Sequence, residues 1–176
     1  MRKLLLCIVL VALGCIVWRH VAKSGSWQMP SVGSCSIPGV ICGVRIPGRA
    51  GANAERGGKW LEDPVHSAVT GSVFRTMRCT YNVGDRRVNG VQLRRVFDGG
   101  ESAEEQKRAY AEAMRGVDSL VGGLTVLSDE KRSSEWGESR DMSCGGNLRI
   151  YAYLHKGKNE EFPIMGLSVS VPYERE

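Results

Sequence analysis

Acid–base chemistry in this chain would have to begin with His66 and His155, the two imidazoles that follow the first twenty residues. Histidine exchanges protons near neutral pH, and a hydrolase could set either ring against a carboxylate such as Asp63, Asp85 or Glu161. The local patterns argue against it. His155 continues the polar side of an alternating stretch with Arg149, Tyr151 and Tyr153, which reads as a solvated strand face; His66, in Asp63-Pro64-Val65-His66, reads as a loop residue. No Gly-x-Ser-x-Gly elbow presents a serine. No Cys-x-x-Cys or His-Glu-x-x-His supports a zinc site. Gly99-Gly100, Gly122-Gly123 and Gly145-Gly146 lack the lysine or the third glycine that phosphate loops need. The expectation is a chain with no catalytic, cofactor-binding or metal-ligating residues.

Binding is better represented. Arg86, Arg87, Arg94 and Arg95 form the densest cationic cluster, at the tip and return strand of an expected hairpin. Such a cluster suits an acidic partner or an anionic headgroup, although charge on a strand rim also serves to blunt edge-to-edge aggregation. Tyr151 and Tyr153, between Arg149 and His155, make the second candidate surface, since tyrosine and arginine are enriched among residues that dominate protein interfaces. A covering loop from the 128–143 region is the alternative environment for these tyrosines.

The elements that would carry these residues follow an export signal. Arg2 and Lys3 precede the uncharged run Leu4 to Trp18, in which ten of fifteen residues are Leu, Ile or Val. At roughly −0.3 to −0.6 kcal/mol each, those ten are sufficient to engage a translocation channel. Fifteen helical residues span only about 22 Å of a hydrocarbon core near 30 Å thick. Extension to Ala22 takes in Arg19 and His20, which could snorkel to the interface. Residues 1–24 are therefore read as a signal peptide, with Ala22 and Ser24 marking cleavage before Gly25, or as a retained anchor that holds the membrane through residues 4–22. A third outcome is lipidation at Cys15, because Ala12-Leu13-Gly14-Cys15 resembles the lipobox of bacterial lipoproteins. That resemblance covers four residues and departs from the usual pattern at Leu13, where a small residue is normal. All three outcomes place the rest of the chain outside the cytosol, in a periplasm or cell envelope.

Composition narrows the partners. The formal charge of +5 shrinks when Arg2, Lys3, Arg19 and Lys23 are set aside with the leader, leaving 20 basic and 19 acidic residues. A nearly neutral domain has little to attract a phosphate backbone, so no nucleic-acid partner is expected. Setting aside Cys7 and Cys15 leaves Cys35, Cys42, Cys79 and Cys144. Four cysteines in an oxidising compartment suggest two disulfides with three possible pairings. Pro38-Gly39 could turn the chain and face Cys35 with Cys42, which favours Cys35–Cys42 together with Cys79–Cys144.

Residues 25–72 are rich in Gly, Ser and Pro and suggest loops with one short strand around Val40, Cys42, Val44 and Ile46. Residues 73–176 carry the core of the same single domain. Met77, Cys79, Tyr81 and Val83 alternate, then Val91, Leu93 and Phe97 resume the alternation across a loop, giving a hairpin. Ser102 with Glu105 makes a capping box ahead of Tyr110, Ala113, Met114, Val117, Leu120 and Val121, whose spacing predicts an amphipathic helix over 103–121. Gly122-Gly123 supplies a left-handed stop. A short strand at 124–127, a polar surface loop at 128–143 and a last hairpin over 148–171 complete the reading. The expected fold class is α+β: an antiparallel sheet of four to six strands, one helix packed across it, stapled by disulfides. The expected function is a small exported, non-catalytic, protein-binding domain, inhibitor- or immunity-like. An exported hydrolase using a histidine–carboxylate pair is the alternative.

Overall fold

In the computed structural model, the described residues are 37, 39–57, 60–62, 67–69, 71–135, 137–156 and 161–171. The leader, Cys35 and His66 lie outside them.

The described strands other than a small hairpin form one antiparallel sheet, whose central strands alternate apolar and polar residues. Its strands are β3 (Glu55–Gly57), β4 (Trp60–Glu62), β5 (Ser67–Ala68), β6 (Thr76–Asn82), β7 (Val88–Val96), β8 (Val126–Ser134), β9 (Gly137–Cys144), β10 (Leu148–His155) and β11 (Ile164–Ser170). Eight follow the order β3-β4-β6-β7-β11-β10-β9-β8, and β5 pairs with β6 beside β4. After β7 the chain crosses over through helix α1 (Ala103–Val121) to the far edge. It then meanders back through β8, β9, β10 and β11 until β11 lies against β7. Burial follows the pleat, with Leu148, Ile150, Ala152 and Leu154 of β10 all buried and Arg149 and Tyr151 between them exposed. One buried row, Cys79–Val91–Val169–Ile150–Met142, crosses five strands in register.

The helix covers this inner face. Its capping box is present as expected, with the Glu105 amide donating to Ser102 Oγ and the Ser102 amide donating to the Glu105 carboxylate. Ala109, Tyr110, Ala113, Val117 and Val121 form its buried stripe. The helix stop works differently from the expectation: Gly122 is right-handed (φ −58°), and the Leu124 amide closes the last turn by donating to the Val121 carbonyl. A small hairpin, β1 (Val40–Ile41) and β2 (Val44–Arg45), flanks the helix. At their closest approach Gly116 leaves so little room that a Cβ there would stand 2.7 Å from Cys42 Sγ. The hairpin turns at Cys42-Gly43, both at positive φ (47° and 80°), the signature of a type I′ turn. The expected single strand around Val40–Ile46 is thus two strands, with Cys42 in the turn itself.

Three further expectations are overturned. The fold is mostly β rather than α+β, with a sheet of nine strands rather than four to six. The 128–143 segment is not a surface loop; it forms β8 and β9 at the sheet edge. The fold is also not disulfide-stapled in the expected way. Cys79 lies on β6 and Cys144 on β9, four strand-to-strand steps apart. At about 4.8 Å per step the separation approaches 19 Å, against the roughly 4–7 Å between Cα atoms that a disulfide tolerates. Cys35, the expected partner of Cys42, is outside the described residues.

The sulfurs behave as packing groups instead. Cys79 and Cys144 are buried, and Cys42 Sγ donates to the Ala113 carbonyl at 3.5 Å. Burial pushes the Cys42 thiol up to about 11 from an ordinary 9.0. Only the thiolate is nucleophilic, so at pH 8 iodoacetamide should label Cys42 on the order of 100-fold more slowly in the folded chain than in urea. Cys79 and Cys144 should react only on unfolding. Peptide mapping by mass spectrometry reads all three, and a Cys79–Cys144 cross-link in a non-reduced digest would refute the strand order.

Candidate functional site

The outer face of the sheet, away from the helix, carries the side chains that β pleating sends to solvent. Two of its rows run across six strands. One is Thr76–Arg94–Gly166–Tyr153–Ser139–Arg132, and its neighbour is Arg78–Gln92–Ser168–Tyr151–Asp141–Glu130. Along β10, Tyr151, Tyr153 and His155 form an aromatic tier. The ring centroids lie 5.6 Å apart between the tyrosines and 4.8 Å apart between Tyr153 and His155. Tyr151 is 43 % exposed. These are tilted contacts of the kind aromatic pairs favour.

Gly166 fixes the pose of Tyr153. A Cβ on Gly166 would overlap the distal ring atoms and the hydroxyl of Tyr153. The ring therefore lies across β11, its phenol tip toward β7, where Arg94 is the next residue in the row. The glycine was visible in the sequence as a gap in an apolar strand, a common mark of close approach.

The sequence-predicted cationic cluster does not stay together. Arg94 shares the outer face with Tyr151 and Tyr153. Arg95, the next residue, points to the inner side. There its guanidinium pairs with Glu101, donates to the Val73 carbonyl at 3.1 Å and lies 4.7 Å over the Phe97 ring. Arg95 is a packing residue that ties the end of β7 to the start of α1. Arg86 and Arg87 sit in the β6–β7 turn, about 23 Å along the strand from Arg94. Arg86 holds a positive φ of 60° and donates to the Gly51 carbonyl at 2.7 Å, while Arg87 Nε is 4.0 Å from Asp85. Their exposure leaves them on a separate rim. No fork of four arginines exists.

The elements of the hydrolase alternative are also dispersed. His155 stacks on Tyr153 at the end of the sheet where His155, Ile164 and Val96 are cross-strand neighbours. Asp85 lies beyond the opposite end, in the turn that follows β6. Glu161 is exposed just before β11. His66 and Asp63 are outside the described residues. Among the described residues no three His, Cys, Asp or Glu side chains gather as metal ligands would, and no helix is long and apolar enough to cross a membrane.

Comparison with protein-family models, curated proteins and solved structures gave no match. The geometry therefore stands alone. The outer face offers aromatic area, hydroxyl groups and the arginines Arg94 and Arg149 near the two tyrosines.

Proposed function

We propose that this chain is an exported, non-catalytic protein-binding domain of the cell envelope, and that its contact surface is the outer sheet face around Tyr151, Tyr153 and Arg94. The observation that carries this reading is the ordered tier Tyr151–Tyr153–His155 held against Gly166 beside Arg94. Tyrosine on a rigid strand presents large amphipathic area with only two side-chain torsions to freeze, which suits an interface anchor. The tier lies on a sheet face that runs across six strands, an area of the extent a protein contact uses. The export part of the proposal rests on the charged-then-apolar layout of residues 2–18.

A photo-reactive phenylalanine analogue at position 151, introduced in the full-length chain and irradiated in cells, tests the proposal. One discrete adduct is expected, lost when Tyr153→Ala is added and not formed from the same probe at Glu112 on the exposed side of α1. An identical ladder from both positions, or no adduct at 151, would refute the contact face.

A further inference from the structure

Four arginines among the described residues are half-buried: Arg78, Arg94, Arg95 and Arg140. Three end on carboxylates: Arg78 on Glu62, Arg95 on Glu101, and Arg140 on Asp118 and Asp129. The fourth, Arg94, has no hydrogen-bond or ion-pair partner for its guanidinium among the described residues, and its Nε is a buried, unsatisfied donor. The unmet buried donor is confined to Nε, so the two Nη amines reach the surface. In the row of Arg94 the next strand contributes only Gly166, over which the Tyr153 ring lies.

We infer that Arg94, with the Tyr153 hydroxyl beside it, is a carboxylate-recognition site for an acidic segment of a partner protein. This rests on the contact face proposed above and names the chemistry it reads. A guanidinium presents a planar pair of donors that matches the two oxygens of a carboxylate. Half-burial strengthens that pairing by lowering the local dielectric. The pattern inside the chain supports the same pairing, since every other half-buried arginine meets Asp or Glu. The missing carboxylate would come from outside. Charge complementarity sets the occupant: the remaining formal charges on the two rows are already matched by Glu62 with Arg78 and by Glu130 with Arg132, except for Asp141 on β9. Arg94 lies three strands away from that residue, on β7.

The Arg94 Nε–H group is its own reporter, because burial protects it from solvent exchange and makes it observable by 1H–15N NMR. The full-length chain in neutral detergent would be titrated with a blocked tetraglutamate peptide, and with blocked tetraglutamine as control. The expected result is a saturable shift of the Arg94 Nε–H and of the Tyr151 and Tyr153 amides with tetraglutamate alone. Arg94→Gln should weaken the effect on the tyrosine amides at least about tenfold, and Arg149→Gln, which removes an exposed charge on the same face, by less than about twofold. Arg94→Lys keeps the charge, removes the fork and should also weaken binding, which covers the case in which Arg94→Gln fails to fold. Equal losses from Arg94→Gln and Arg149→Gln, equal shifts with tetraglutamine, or binding of anionic phospholipid vesicles without peptide binding would each overturn the inference. No tetraglutamate binding by the parent chain, with the position-151 adduct still formed, would sink the carboxylate assignment and leave the contact face standing.

Discussion

Replacing Gly137 by alanine is expected to destabilise the chain by about 3 kcal/mol or more, which lowers the thermal midpoint by at least roughly 6–12 °C for a domain of this size. Gly137 opens β9 with φ +141°, a region essentially reserved for glycine. Space forbids a side chain as firmly as the backbone does. A Cβ there would overlap the Leu154 carbonyl oxygen and stand 2.7 Å from His155 Cα. Both obstacles are backbone of the paired strand β10, so no rotamer change relieves them. Relief requires β9 to part from β10 at the rung that ends beside Tyr153 and His155. Gly146→Ala is the control: its φ is also positive, at +75°, yet nothing lies within 4 Å of its Cβ. It should cost only about 1 kcal/mol, the conformational penalty alone. Thermal unfolding followed by circular dichroism measures both. Similar losses for the two variants would mean that the close approach of β9 to β10 is wrong.

How much of this was legible follows from where each element spends its apolar residues. The helix was readable to the residue because a capping box and a five-residue buried stripe are local features. So was the β10–β11 hairpin, whose inner positions are apolar without exception among those paired. The β8–β9 pair was not. All nine residues of β8 are exposed, and the inner positions of β9 include Glu138 and Arg140 beside Met142 and Cys144. A strand at the sheet edge has half its backbone paired and little to bury, so hydrophobic periodicity has nothing to report. Missing those strands made the sheet too small and pushed the fold class toward α+β. The Cys79–Cys144 pairing failed for a related reason. Parity of cysteines says nothing about strand order, and the crossover through α1 sends β8 and β9 to the edge far from β6.

The candidate face shows the same division. Tyr151 and Tyr153 were recognisable from alternation along one strand. That Arg94 joins them while Arg95 does not follows from the pleat alone, since adjacent strand residues point to opposite sides. Treating four arginines as one cluster overrode that rule. The contact between Tyr153 and Gly166, and the row that brings Arg94 beside them, depend on the pairing of β11 with both β10 and β7. Register between strands 70 residues apart in sequence has no local signal.

The polar inner corner that hid β8 and β9 is itself a structural device, and Arg140→Met is expected to expose it. Arg140 lies on the inner side of β9 with its side chain 11 % exposed. Its Nε and Nη2 reach the two oxygens of Asp129 on β8, each at 2.8 Å, and its Nη1 reaches Asp118 on α1 at 2.6 Å. One guanidinium thus joins the edge strand, its neighbour and the helix that covers them. Asp118 stands in the last turn of α1, where the helix dipole disfavours a negative charge and no basic residue of that turn offsets it. Methionine fills much of the same volume but leaves two carboxylates facing each other at the helix end. Removing one partner of a hydrogen-bonded charge network costs about 2–4 kcal/mol, and the loss should appear first as faster amide exchange along β8. The pH dependence has a definite sign. The hydrogen bonds from Arg140 hold the Asp129 carboxyl below the ordinary carboxylate range, so its contribution is complete above that range and is lost as pH falls through the lowered value. Acid titration of stability should therefore be shallower in Arg140→Met than in the parent chain over that interval. A parent-like acid limb, with β8 amides still protected, would show that the edge strand is held by its backbone pairing with β9 and not by this arginine.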